Sequence, residues 1–137
     1  MIRRKINDNS FFEIINFRKD RSKLPVNLWL DTAGSVRSIK HKKPTVKIQK
    51  NKSEYLRNRK DLIPISISAN PEVLLKNYRT KLDISEKELE IMLNFIAENY
   101  IILLKHWNGE IDDYEVLDIM NSIVAIKENN KLLEDRD

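Results

Sequence analysis

The sequence predicts an α+β fold: a small antiparallel sheet of about four strands packed against one long helix, with an additional C-terminal helix. Three observations lead there. Residues 44–49 and 62–68 alternate apolar and polar side chains, the period of a half-buried strand. From residue 85 onward, apolar side chains fall at 89, 92, 93, 96, 100, 103, 104 and 107, which is one face of a helix. The strand patterns all precede the helical ones, so the two kinds of element are segregated rather than interleaved. With 137 residues and 41% hydrophobic content, the chain suits a single domain over 1–128 and a polar tail over 129–137.

Residues 10–18 have mixed periodicity and fit a strand or a short helix, with the strand preferred. Residues 26–31 are nearly continuously apolar and read as a strand. The turn signal over 31–35 includes Gly34, which is free to take positive φ, and 36–39 then reads as the returning strand of a hairpin. In 44–49, Val46 and Ile48 face inward while Thr45, Lys47 and Gln49 face outward. Residues 50–61 are polar and basic, an exposed loop. In 62–68 the inward side is Ile63, Ile65 and Ile67, and Pro64 places this strand at a sheet edge, because proline donates nothing to a ladder.

Asn70 and Pro71 read as the N-cap and first position of a short helix ending at Leu75 or Lys76. Ser85 and Glu88 form a capping box, and Ile84 with Leu89 a hydrophobic staple. The helix over 85–107 should stop at Asn108 and Gly109, where glycine takes the left-handed cap. Asp112, Asp113 and Glu115 open a second helix over 113–127, with apolar positions Val116, Leu117, Met120, Ile123 and Val124. Beyond Asn129 the tail is polar and is expected to fray.

Charge divides the chain in two. Residues 1–60 carry 17 Lys and Arg against 5 Asp and Glu, a net of +12, whereas residues 61–137 carry 8 against 16, a net of −8. A basic surface attracts polyanions or acidic proteins over roughly a Debye length. Residues 37–60 hold ten of the cations against one Glu. The candidate binding residues are therefore Arg37, Lys40, His41, Lys42, Lys43, Lys47, Lys50, Lys52, Arg57, Arg59 and Lys60. They could track phosphates, with a salt-sensitive affinity. They could instead guard a sheet edge against aggregation, or offset the acidic helices within the same molecule. Tyr55 is the only Phe, Tyr or Trp interleaved with these cations, which argues against base stacking on single strands.

Several function classes are excluded. The chain lacks cysteine, so it has no disulfide, thiolate nucleophile or cysteine-based metal site. Gly34 and Gly109 are its only glycines, too few for a phosphate-cradling loop. The nearly uncharged stretch 100–104 is far too short to span a bilayer. No apolar segment follows the basic start, so no signal peptide is expected, and a soluble cytoplasmic protein without membrane partners is the default.

His41 and His106 are far apart in sequence and give no metal-ligand spacing. His106 reads as a capping or surface residue near a helix C-terminus. The cations around His41 favour its neutral form, which would suit a phosphodiesterase-type base, but no acid is placed beside it. Glu110, Asp112, Asp113 and Glu115 lack calcium-loop spacing and read as favourable charge at a helix N-terminus. Trp29 and Trp107 read as core anchors, each needing a partner for its indole N–H. No cofactor and no metal are called for.

The run His41, Lys42, Lys43, Pro44, Thr45, Val46, Lys47, Ile48 resembles the His-Pro-Pro-Pro-His-Val-His-Val signature of a bacterial family catalogued as domain of unknown function 4160. Residues 62–67 with Pro71 and Glu72 are similar to that family's last strand and exit. Residues 85–107, closing on Leu103, Leu104, Lys105, His106 and Trp107, are similar to its long helix. The resemblance covers residues 26–110. His41, Pro44, Val46 and Ile48 carry over, while the family's later two histidines fall on Thr45 and Lys47, so any chemistry of that cluster is largely lost here. The resemblance implies a small sheet packed by one long helix. It also implies a bacterial or mobile-element setting of the toxin–antitoxin kind.

The leading expectation is a non-enzymatic binding protein that uses the basic hairpin and loop to engage nucleic acid or an acidic protein surface. An antitoxin-like or phage-encoded anti-defence inhibitor is one form of it. The alternative is a small nuclease centred on His41, with Arg37 and Lys47. The opposite charges of the two halves also allow head-to-tail self-association into a homo-oligomer.

Overall fold

The computed structural model describes residues 14–31 and 43–134. Four strands, β1 (Ile14–Phe17), β2 (Leu28–Asp31), β3 (Thr45–Gln49) and β4 (Leu62–Ser66), form one antiparallel sheet in chain order. A short helix α1 (Lys19–Ser22) separates β1 from β2 and lies against the C-terminal helix. After the sheet come α2 (Tyr78–Lys81), α3 (Glu86–Glu98), α4 (Tyr100–Trp107) and α5 (Asp113–Glu134). The strands-then-helices order thus yields the α+β fold, and the inward residues Ile63, Ile65 and Ile67 are buried as their alternation predicts. The returning strand expected over 36–39 lies outside the described residues. Within them, β1 and β3 occupy the two edges of β2.

The main core lies between one face of the sheet and the helices. It joins Ile15, Phe17, Leu28, Leu30, Val46, Ile48, Ile63 and Ile65 to Met92, Ile96, Leu103, Val116 and Met120. Phe17 and Phe95 bring β1 onto α3, with ring centroids 5.8 Å apart.

Pro64 sits in the last strand of the sheet, as its missing N–H requires. Its carbonyl accepts the Leu74 N–H at 2.9 Å, and the Ser66 N–H donates to Glu72 O at 3.0 Å. In a strand, a residue's N–H and C=O point the same way, so Pro64 loses a donor only on the row facing away from β3. That row is closed by residues 72–74, with Val73 bridged to Ile65. The short helix expected from Asn70 to Lys76 is therefore corrected. Residues 72–74 pair with β4 instead, because bonding to its open edge satisfies more groups than one isolated helical turn would.

The capping box forms: Ser85 Oγ accepts the Glu88 N–H at 3.1 Å, and Glu88 Oε1 accepts the Ser85 N–H at 3.0 Å. The single helix expected over 85–107 is broken at Asn99. Its side-chain amide donates to Phe95 O at 2.8 Å, and its own N–H is shared between Phe95 O and Ile96 O. A short amide competing for the i−4 carbonyl turns the backbone to φ −118° and bends the helix. The second part ends in a Schellman cap. Gly109 takes φ 77°, its N–H donates to His106 O, and the Glu110 N–H reaches Lys105 O.

α5 opens on a second capping box between Asp112 and Glu115. It runs to Glu134 rather than to 127, because Lys, Leu and Glu propagate a helix and no glycine or proline stops it.

Candidate functional site

The strand register sorts the sheet into two faces. Away from the helices lie Ile14 and Asn16 of β1, Trp29 and Asp31 of β2, Thr45, Lys47 and Gln49 of β3, and Leu62, Pro64 and Ser66 of β4. The sequence places Thr45 and Gln49 outward in solvent. They do point outward, but both are buried, because the far face carries its own cover. Leu56 of the 50–61 loop packs there with Ile14, Trp29 and Leu62 in a second apolar cluster.

That loop is laced to the sheet by amides. Gln49 Nε2 donates to Ser53 O at 2.8 Å and to Tyr55 O at 3.2 Å, and Asn27 Nδ2 reaches Glu54 O at 3.2 Å. Trp29 Nε1 donates to Gln49 Oε1, the partner its indole requires. The segment keeps Lys52, Arg57 and Lys60 exposed as its composition predicts, but it is also anchored as a cover through Leu56 and ends in a 3₁₀ turn at Arg59–Asp61.

Beside this cover is a cleft of about 420 Å³, lined by Lys43, Thr45, Lys47, Arg59, Leu62, Pro64 and Leu74. Lys43 is exposed at the entrance to β3, and Arg59 reaches the cleft from the loop. Lys47 is held inside it: its Nζ donates to Asp31 Oδ2 at 2.9 Å, with the two side chains 14% and 3% exposed. The cleft therefore combines three basic side chains with an apolar lining that includes the half-exposed Leu74.

Of the eleven candidate binding residues, the structure brings together Lys43, Lys47 and Arg59. Lys50 is paired with Asp61 at 3.3 Å, and Lys52 with Glu88 of α3. The Lys52 ammonium, together with the Ser85 N–H, holds the Glu88 carboxyl below its ordinary value. Arg57 and Lys60 are exposed on the loop but do not line the cleft. Arg37, Lys40, His41 and Lys42 lie outside the described residues, and with them the catalytic alternative at His41.

Sequence reasoning missed Asp31 as the counter-ion of Lys47, and it missed Leu62, Pro64 and Leu74 as lining. Asp31 becomes visible as a partner only through the strand register, which sets Trp29 opposite Lys47 and so puts Asp31, two residues further along, on the same face.

His106 is corrected from a capping or surface residue to a buried one. It is 2% exposed, and its Nε2 lies 2.7 Å from Asp113 Oδ1. This contact ties the end of α4 to the first turn of α5. It also engages one member of the acidic cluster, while Asp112 and Glu115 cap the helix. Among the described residues, no group of three or more His, Asp or Glu side chains is arranged to hold a metal ion. No helix among them is long and apolar enough to cross a membrane. No protein-family model, curated protein or solved structure matches this chain.

Proposed function

We propose that this protein is a non-enzymatic binding protein whose basic cleft takes an acidic segment of a partner protein, in the manner of an antitoxin-like or anti-defence inhibitor. The observation that carries this reading is the convergence of Lys43, Arg59 and the Asp31-paired Lys47 on one cleft that is otherwise lined by Thr45, Leu62, Pro64 and Leu74. Cations over aliphatic groups complement a carboxylate-bearing segment that also presents apolar side chains. Single-stranded nucleic acid is the less favoured polyanion, because base stacking needs aromatic rings and the cleft lining has none. The resemblance to domain of unknown function 4160 agrees with a bacterial or mobile-element setting and supplies no activity.

The test is a pull-down from a bacterial host lysate, with and without nuclease treatment, followed by titration at several salt concentrations. One protein retained after nuclease treatment, released by salt and lost in Lys43→Glu, is the expected result. Binding to generic duplex DNA or RNA with a steep salt slope would replace the partner by nucleic acid. Phosphodiester hydrolysis abolished by His41→Ala would overturn the non-enzymatic reading.

A further inference from the structure

α5 carries two apolar stripes, and the second is only partly covered, with Ile119 and Ile123 half-buried and Ile126 and Leu133 exposed. Val116, Leu117, Met120 and Val124 pack on the main core. Ile119, Ile123, Ile126 and Leu133 belong to neither apolar cluster among the described residues. At ~100° per residue, this second stripe is centred roughly 120° around the helix from the core-facing side. Ile126 and Leu133 are each 60% exposed, and every residue over 125–134 is exposed. A helix that runs past its own core with aliphatic side chains on a separate face has a surface still to cover.

The spacing identifies the occupant. Ile119, Ile123, Ile126, Asn130 and Leu133 follow one another at intervals of four, three, four and three, the a and d positions of a heptad seam. In that register Ile123 and Asn130 take a, and Ile119, Ile126 and Leu133 take d. Asn130 is the single polar residue in the seam. In a parallel, in-register pair of identical helices, each Asn130 meets the other's Asn130, and each amide gains a donor and an acceptor. In an antiparallel pair, a layers face d layers, which leaves Asn130 among aliphatic groups at a cost.

The flanking charges permit the same arrangement. Lys127 and Glu134 occupy e positions, opposite Ser122 and Asn129 at g, so no like charges meet across the seam. We infer that α5 pairs with α5 of a second copy of this chain in a parallel, in-register two-stranded coil over 119–133. This self-association is separate from the basic cleft and does not depend on its partner. The seam extends only about 21 Å, short of the three to four heptads of a stable coiled coil, so the pairing is concentration-dependent.

Sedimentation equilibrium of the full chain from micromolar to millimolar concentration tests the pairing. The expected result is a mass that rises from one copy toward two in wild type and stays at one copy in Ile126→Lys. That variant lies on the solvent-exposed part of the helix, so its circular dichroism and unfolding midpoint should be unchanged. Orientation is tested by oxidative cross-linking, since the native chain has no cysteine. Leu133→Cys should yield a covalent dimer, because parallel register brings the two Cβ atoms within disulfide reach, whereas Glu128→Cys on the outer face should not. A wild type that remains monomeric throughout would overturn the proposal. So would a rise in mass that Ile126→Lys shares, or cross-linking that does not distinguish the two cysteine variants.

Discussion

The Trp29 indole N–H donates to Gln49 Oε1 at 3.1 Å, a buried bond between neighbouring strands on the sheet face away from the helices. The same oxygen accepts the Asn27 amide at 3.2 Å, and the Gln49 amide holds the carbonyls of Ser53 and Tyr55. Gln49 therefore couples the second apolar cluster to the loop that delivers Arg59 to the cleft. Replacing it with leucine strands the buried indole donor and takes one acceptor from the Asn27 amide. Gln49→Leu should lower stability by roughly 3 kcal/mol in urea unfolding, at about 1–3 kcal/mol per unsatisfied group. Amide exchange over 53–55 should accelerate as the loop loosens.

Lys43 and Lys47 line the same cleft but should behave oppositely. Lys47 neutralises the buried Asp31, so Lys47→Met leaves a carboxylate without its cation and should cost about 3 kcal/mol or more. Lys43 is exposed, and Lys43→Met should leave the unfolding midpoint within about 0.5 kcal/mol of wild type while weakening partner capture. Paired denaturation and binding measurements on the two variants check this.

The buried His106–Asp113 contact fixes the angle between α4 and α5. Asp113→Leu removes the acceptor and leaves the imidazole nitrogen unpaired, for an expected loss of about 1–3 kcal/mol. Asp113→Asn keeps an acceptor oxygen and should lose less. Comparing the two unfolding midpoints separates the hydrogen bond from general damage to the helix start.

Acid should loosen the start of α3. The folded-state pKa of Glu88 is depressed, first by the hydrogen bond from Lys52 and then by the Ser85 N–H. A depressed carboxylate contributes stability that is fully present above its unfolded value, ~4.3, and lost as pH falls through the lower folded value. Unfolding midpoints measured from neutral to acid pH should therefore fall less steeply below about pH 4 in Glu88→Gln than in wild type. Ser85→Ala removes the cap itself and should cost about 1 kcal/mol at neutral pH.

Where the sequence alone sufficed, the determining interactions span only a few residues. Ser85 and Glu88 specify a helix start, and Gly109 specifies a helix end. The alternation of Ile63, Ile65 and Ile67 specifies a strand with one buried face. Each outcome follows from backbone sterics and neighbours within a turn or a pleat. Asn99 lies at the limit of that legibility: its competition for the Phe95 carbonyl is local, yet the apolar spacing runs straight through it.

Only the tertiary structure decided the rest. Gln49 is buried because a loop that begins just after it folds back over the far face of the sheet. Residues 72–74 are extended because an open strand edge was there to accept them. Lys47 is partly neutralised because β2 carries Asp31 alongside it. Chain-wide charge arithmetic marks residues 37–60 as basic but cannot separate a cation held by a buried carboxylate from one left exposed. That distinction between Lys47 and Lys43 depends on which strands lie side by side, a consequence of burying apolar area shared among residues distant in sequence.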